Sequence, residues 1–129
     1  MKIEDLCKNF NFNDKTEYEI SELNGVQFPR DYLDFIHRHN GGEGDVGENV
    51  YASLFMLEEL EEINDDYDIA EYLPDYFIFG TDGGGMLLGY SSAKNSYFAV
   101  DAMNISDEEI FYEADSLVEF FERMDEELA

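Results

Sequence analysis

Three consecutive glycines, Gly83 to Gly85, stand between two apolar runs in the segment IFGTDGGGMLLGY and are the first candidate for a chemical site. Glycine-rich loops bind phosphate when Lys-Ser/Thr follows, or when the glycines are spaced G-x-G-x-x-G at a strand-to-helix turn. Here Met86, Leu87 and Leu88 follow, which is a strand pattern, and no Lys or Arg adjoins them. Glycine also permits the positive φ angles of tight turns. The segment therefore predicts a β-hairpin and not a phosphate loop.

The histidines and the cysteine are the candidates for metal or nucleophilic chemistry. His37 and His39 lie two residues apart on a predicted helix, so they cannot share a metal on one face. We expect His37 to be solvated and His39 to lie at the core edge or the helix end. Cys7 has no neighbouring His or motif that would mark a nucleophile, which favours a structural or merely exposed thiol. The segment at 65–72, DDYDIAEY, lacks the glycine that a calcium-binding loop needs. Because no other residue set forms a metal or catalytic motif, the sequence predicts a protein that uses no metal or cofactor and is not an enzyme.

Acidity dominates the composition. Thirty-two Asp and Glu face seven Lys and Arg, for a formal net charge of −25, and Lys94 is the only Lys or Arg between Arg38 and Arg123. With so many carboxylates, two acids spaced like those of a glycosidase occur by chance and are no evidence for that activity. No motif supports the alternative of a carboxylate-based hydrolase. The negative field repels nucleic acid and anionic membranes and speeds encounter with basic proteins. The alternative is acidity that only keeps the protein soluble.

Length and hydropathy indicate one packed domain over residues 1–129. The chain is 44% hydrophobic, which is too apolar for a disordered acidic protein. No apolar stretch approaches the roughly 18 residues of a membrane-spanning helix. The N-terminus does not resemble a secretory signal, and a single cysteine excludes an internal disulfide. We therefore expect a cytoplasmic protein.

Helical patterns lie at three places in the chain, besides a short helix expected over Ile3 to Phe10. FPRDYLDFIHRHNGG, at 28–42, has apolar residues and His39 at helical spacing, and Asn40-Gly41 is a stop signal. The segment at 57–74, LEELEEINDDYDIAEYLP, predicts one acidic helix that is broken near Pro74. Its inward-facing residues are Leu57, Leu60 and Ile63. A last helix follows, with Asp115 or Ser116 as its N-cap. Its predicted inner face consists of Leu117, Phe120, Phe121 and Met124.

Strand patterns fill the region between the last two helices. DYFIFG, GMLLGYS and SYFAVDA follow one another with hairpin-length links, and EEIFYEA adds a possible fourth strand. Another apolar run, Val50 to Leu57, predicts a strand, and GGEGDVGENV before it predicts a flexible loop. Consecutive strands with short links favour an antiparallel meander flanked by α-helices, an α+β fold.

These segments, in this order, resemble the SUKH superfamily, the family of a yeast cell-wall-synthesis regulator connected with killer-toxin resistance. The resemblance covers about residues 20–124. The first motif resembles LP-x-DY-x-x-F ending in NGG, with Phe28 in place of the usual Leu, and the central motif resembles an IG-x-D-GGG turn. The last helix resembles the family's Ser-hydrophobic-x-x-Phe opening at Ser116, Leu117 and Phe120. Gly89 stands where members often carry a larger side chain.

The resemblance implies a SUKH-like fold, usually without catalysis. Small bacterial members resemble immunity proteins, which bind the toxin domain of a polymorphic system in the producing cell. Many such toxins are nucleases, whose surfaces are basic because they hold phosphates. An inhibitor with a net charge of −25 offers the complementary field. We therefore expect an immunity protein that binds a basic toxin domain, and the alternative is a regulatory or scaffolding interaction module.

The acidic helix is the candidate partner-binding surface. Acids steer a basic partner, and tyrosines anchor protein interfaces. The alternative is a solvated outer face, and Tyr76 is expected in the core. A second candidate is the predicted acidic loop at 41–49, whose alternative is a simple connector. The predicted partner-binding residues are Glu58, Glu59, Glu61, Glu62, Asp65, Asp66, Tyr67, Asp68, Glu71 and Tyr72.

Overall fold

The computed structural model describes residues 3–7 and 9–128. The fold is α+β, as predicted, with a seven-stranded antiparallel sheet flanked by helices. In chain order the elements are α1 (Ile3–Leu6), β1 (Asn9–Phe12), β2 (Glu22–Leu23), β3 (Val26–Gln27), α2 (Arg30–Arg38), β4 (Gly42–Val46), β5 (Val50–Leu54), α3 (Leu57–Asp66), α4 (Ile69–Tyr72), β6 (Tyr76–Thr81), β7 (Met86–Ser91), β8 (Ser96–Asp101), a 3₁₀ turn (Asp107–Glu109), β9 (Ile110–Ala114) and α5 (Leu117–Glu127).

The main sheet is a meander from β4 to β9, with β1 added beside β4. Every neighbouring pair is antiparallel. The central strands β6, β7 and β8 are almost entirely buried because both of their faces are covered. The three consecutive strands, the additional strand at β9 and the helix after Ser116 are confirmed.

Side chains alternate between the two faces of the sheet and build two cores. On one face, Phe79 packs between α2 and α5, with ring centroids 5.1 Å from Tyr32 and 6.4 Å from Phe120. On the other face, Ile78 packs under α4, where Ile69 points inward. The chain therefore has helices on both sides of its central strands.

The segment predicted as a flexible glycine loop is a strand, so that prediction was wrong. In β4, Gly42 pairs with Phe12 and Gly44 pairs with Phe10 of the edge strand β1. A Cβ placed on Gly42 would lie 2.3 Å from the Asn11 carbonyl oxygen. The glycines therefore allow the backbone of β1 to approach closely, and at Gly42 also the Phe10 ring.

Because β1 pairs with β4, the N-terminal segment is helical over a shorter range than the sequence predicts. The helix expected over Ile3 to Phe10 ends at Leu6, and Asn9 already belongs to β1. Position 8 of that predicted helix lies outside the described residues. A short hairpin, β2–β3, follows before α2. It turns at Asn24 and Gly25, both with positive φ, and Asn-Gly is a strong hairpin signal that the sequence already contained.

The acidic helix is two helices rather than one. The break falls at Asp68, which takes the left-handed conformation with φ of 54° and begins α4. In one continuous helix, Ile69 would lie on the side opposite Leu60, because nine residues make about two and a half turns. Since Leu60 and Ile69 are both fully buried, the helix must break to bring both inward.

The glycine triplet forms the β6–β7 hairpin, as predicted. Gly83 and Gly85 have positive φ angles of 74° and 104°. The Asp82 carboxylate closes the turn, accepting hydrogen bonds from the backbone N–H of Gly84 at 2.8 Å and of Met86 at 3.0 Å. Two of the three glycines are therefore required by backbone conformation.

Replacing Gly83 should destabilise the protein, while replacing Gly84 should not. Gly83→Ala forces a side chain into the left-handed region and places its Cβ 3.1 Å from the Tyr51 ring, so unfolding should become easier by about 1–2 kcal/mol. At Gly84 a Cβ meets only ordinary contacts, and Gly84→Ala should cost less than about 0.5 kcal/mol. Urea denaturation measures both, and equal losses would contradict the assignment of the turn.

Two phenylalanines of opposite exposure test the assignment of the core. Phe120→Ala should lower the free energy of unfolding by about 3–5 kcal/mol, because this ring is fully buried between α5 and the sheet. Phe111→Ala is the matched control, because this ring is 57% exposed and its loss should cost less than about 1 kcal/mol. Chemical denaturation gives both values. An unchanged midpoint for Phe120→Ala would mean that the inner face of α5 is misassigned.

Candidate partner-binding surface

The end of α2 fixes the start of the acidic helix α3. The buried side chain of Asn40 accepts a hydrogen bond from the Leu57 backbone N–H at 2.9 Å. The same amide donates to Oε1 of Glu58, also at 2.9 Å. Asn40 thus acts as an N-cap supplied from another element, satisfying one of the free N–H groups at the helix start.

Asn64 fixes the last turn of α3 to the sheet. Its side chain accepts a hydrogen bond from the Ile78 backbone N–H at 2.8 Å and donates to the Ile78 carbonyl at 3.0 Å. It also donates to the Leu60 carbonyl at 2.8 Å. The β6–β7 register shifts between Ile78 and Gly80, so the Asn64 amide pairs with strand backbone beside an irregularity of the sheet.

These anchors orient an acidic groove along the outer side of α3. The groove has a volume of about 430 Å³. Tyr18, which is 43% exposed, forms its wall from the N-terminal segment. Thr16 in that segment donates a hydrogen bond to Oε2 of Glu58 at 2.9 Å, which ties the segment to the helix. The residues that line the acidic groove are Tyr18, Glu58, Glu61, Glu62, Asp65 and Asp66.

All ten predicted partner-binding residues are exposed, but only five line the groove. Glu59 lies in a neighbouring cleft at the start of α3. The other four, Tyr67, Asp68, Glu71 and Tyr72, lie at and beyond the break between α3 and α4. The tyrosine of the groove is therefore Tyr18, and no pattern in the sequence connected it to a helix some forty residues later. Tyr76 is buried, as predicted.

The groove is uniformly negative. Hydrogen bonding from Asn40 lowers the pKa of Glu58 below its usual value, so this carboxylate is ionised at neutral pH. Glu58 and Glu59 lie in the first turn of α3, where the helix dipole favours negative charge. Within residues 3–7 and 9–128, no ion pair includes a carboxylate of the groove; the acidic partners of the ion pairs are Glu4, Asp107, Glu113 and Glu127.

The histidines and the cysteine take structural or solvent positions. His39 ends α2 at the core edge, as expected, stacked on Phe12 at 4.0 Å with its Nε2 3.1 Å from a Glu4 oxygen. His37 is exposed. Cys7 is buried, and burial raises the pKa of its thiol to about 12, so it is a poor nucleophile. Among the described residues, no group of three or more His, Cys, Asp or Glu could hold a metal ion.

The sequence matches the SMI1 / KNR4 family (SUKH-1) over residues 17–123. The chain belongs to this family. No curated protein matches it. In the part of the chain that the structure describes, no helix has the length and apolar character needed to cross a membrane.

The residues that carry the SUKH-1 resemblance hold the fold together and do not line the acidic groove. Asp31 accepts a hydrogen bond from the Tyr97 hydroxyl and another, at 2.8 Å, from the Leu117 backbone N–H at the start of α5. Ser116 caps the same helix by accepting from the Glu119 N–H at 3.1 Å. The bonds of Asp31 link α2 to β8 and α5, and the bond of Ser116 caps α5. These motif residues therefore stabilise the scaffold.

Asn64 should be a critical anchor of the acidic helix. Asn64→Ala leaves the N–H and C=O of Ile78 buried without their partners, at about 1–3 kcal/mol for each group, so it should lower unfolding free energy by at least about 2 kcal/mol. Hydrogen exchange at the Ile78 amide should also accelerate. Asn104→Ala, in an exposed turn, is the control and should change stability by less than about 0.5 kcal/mol. Equal stability of the two variants would contradict this anchoring role.

Proposed function

We propose that this protein is a cytoplasmic immunity protein that neutralises a cognate bacterial toxin by binding it directly, without catalysis, metal or cofactor. The observation that carries the proposal is the acidic groove on α3, which has five carboxylates and no Lys or Arg in its lining. Membership of SUKH-1 supports a binding role over an enzymatic one.

The charge suits a partner with a basic surface. A nuclease toxin must carry cations that hold phosphates, and an acidic protein that docks on those cations competes with the nucleic acid. The net charge of −25 attracts such a surface at long range, and the acidic groove is the site where that surface docks. A basic nuclease domain is therefore the toxin class that this surface fits best.

The rigid attachment of α3 favours a preformed binding surface. Asn40 and Asn64 hold the helix by its start and its last turn, so little backbone ordering has to accompany binding. Exposed carboxylates contribute little to stability, which leaves the groove free to be selected for binding. Tyr18 supplies the aromatic contact that interfaces commonly use as an anchor.

Reversing the charge of the groove should slow association with the toxin. The triple variant Glu61→Lys, Glu62→Lys, Asp65→Lys should lower the association rate by about tenfold at low salt, because electrostatic steering acts on encounter. The effect should shrink at physiological salt, where charges are screened over about 8 Å. The measurement is surface plasmon resonance against the toxin domain encoded beside this gene.

A matched control separates the groove from overall charge. Asp34→Lys, Glu122→Lys and Glu126→Lys reverse three exposed acids on α2 and α5, none of which lines the groove, and change the net charge equally. This control should slow association distinctly less than the groove variant. If the groove variant and the control variant associate at equal rates, the attraction comes from overall charge alone. If the wild-type protein binds no toxin domain, the immunity function is wrong, and a regulatory or scaffolding module takes its place.

A further inference from the structure

The acidic groove is too small to be the whole interface with a toxin. A stable protein–protein interface engages about 20–30 residues on each side. Six residues line the groove, so a tight complex must cover additional surface. The most direct extension lies beside the start of α3, where the sheet is open.

That open part of the sheet consists of the outward side chains of β1, β4 and β5, which we call the bare face. Strand register places them in two rows, Asn11–Glu43–Ser53 and Asn9–Asp45–Tyr51. All six are exposed or half-buried, while the intervening residues of β5 are buried in the core on the other side. In the part of the chain that the structure describes, no element covers the bare face, whose six residues include two acids and no cation.

Tyr51 gives the bare face a preorganised aromatic anchor. Its ring is 41% exposed, and its hydroxyl donates a 2.5 Å hydrogen bond to Glu43. Gly83 of the glycine hairpin lies against the ring, so close that a Cβ there would be 3.1 Å from Cδ1. The hairpin and Glu43 therefore hold the ring in one position, which lowers the entropy cost of using it in an interface.

A cleft joins the bare face to α3. It has a volume of about 250 Å³, and Glu43 and Ser53 of the bare face line it together with Glu59 of α3. The lining contains two carboxylates and no Lys or Arg. Carboxylates arranged in this way suit an Arg or Lys side chain, and an adjacent tyrosine ring can add a cation–π contact.

We propose that the bare face is the second half of the toxin interface, and that it binds a basic segment of the toxin with an Arg or Lys side chain in the cleft and Tyr51 against the same segment. This inference rests on the proposed function. Its occupant follows from the charge of the face and from the position of the cleft, whose Glu59 is next to Glu58 of the acidic groove in α3. Short-range contacts of this kind slow dissociation, whereas the groove charges act mainly on association.

The test compares two double charge reversals that alter the net charge equally. Glu43→Lys with Asp45→Lys changes the bare face, and Glu122→Lys with Glu126→Lys changes exposed positions of α5 on the other side of the sheet. Dissociation from the toxin domain encoded beside this gene is measured by surface plasmon resonance at physiological salt. The bare-face variant should dissociate about tenfold faster than wild type, and the α5 variant should dissociate at nearly the wild-type rate.

A second pair of variants removes aromatic contact without changing charge. Tyr51→Ala should speed dissociation several-fold, and Phe111→Ala, an exposed ring on β9, should not. Thermal denaturation verifies that each variant is folded. If the toxin binds wild type while the bare-face variants dissociate like their controls, this inference is overturned and the proposed function stands. If wild type does not bind the toxin, both are overturned.

Discussion

Asn64 exchanges hydrogen bonds with the N–H and C=O of Ile78, and the position of the acidic surface depends on this exchange. The side chain is 1% exposed, so its amide interacts in surroundings where water does not compete. It joins α3 to β6 beside the register shift of the central hairpin. A helix whose outer face is almost wholly negative is thereby fixed at one angle to the sheet.

The acidic helix needs such an anchor because its own charges oppose it. Glu58 and Glu62, Glu61 and Asp65, and Glu62 and Asp66 are like-charged pairs at i,i+4. Each such pair costs about 0.2–0.5 kcal/mol in an isolated helix. Burial of Leu57 and Leu60, together with the hydrogen bonds of Asn40 and Asn64, offsets this repulsion. Stability and charge are thus provided by opposite sides of the same helix.

The scaffold and the proposed interface use different residues. The polar groups of the family motifs bond to backbone: Asp31 and Ser116 at the start of α5, Asn40 at the start of α3, and Asp82 in the glycine hairpin. Gly89 lies against the Phe77 carbonyl oxygen and the Phe98 ring, and a Cβ there would be 2.2 Å from that oxygen and 2.7 Å from that ring. These motif residues hold the scaffold, while the acidic groove is lined by other residues.

The sequence by itself determined the helices α2 and α5, the central strands and the glycine hairpin, because their apolar spacing and turn residues are local properties. It also determined that a helix rich in acids would be exposed. Only tertiary structure decided that Gly42 and Gly44 form a strand, since their role depends on the close approach of β1. The same holds for the break at Asp68, which turns Ile69 into the core, and for Tyr18, which the fold brings beside α3. Contacts between residues distant in the chain have no local pattern, so they emerge only when the sheet is assembled.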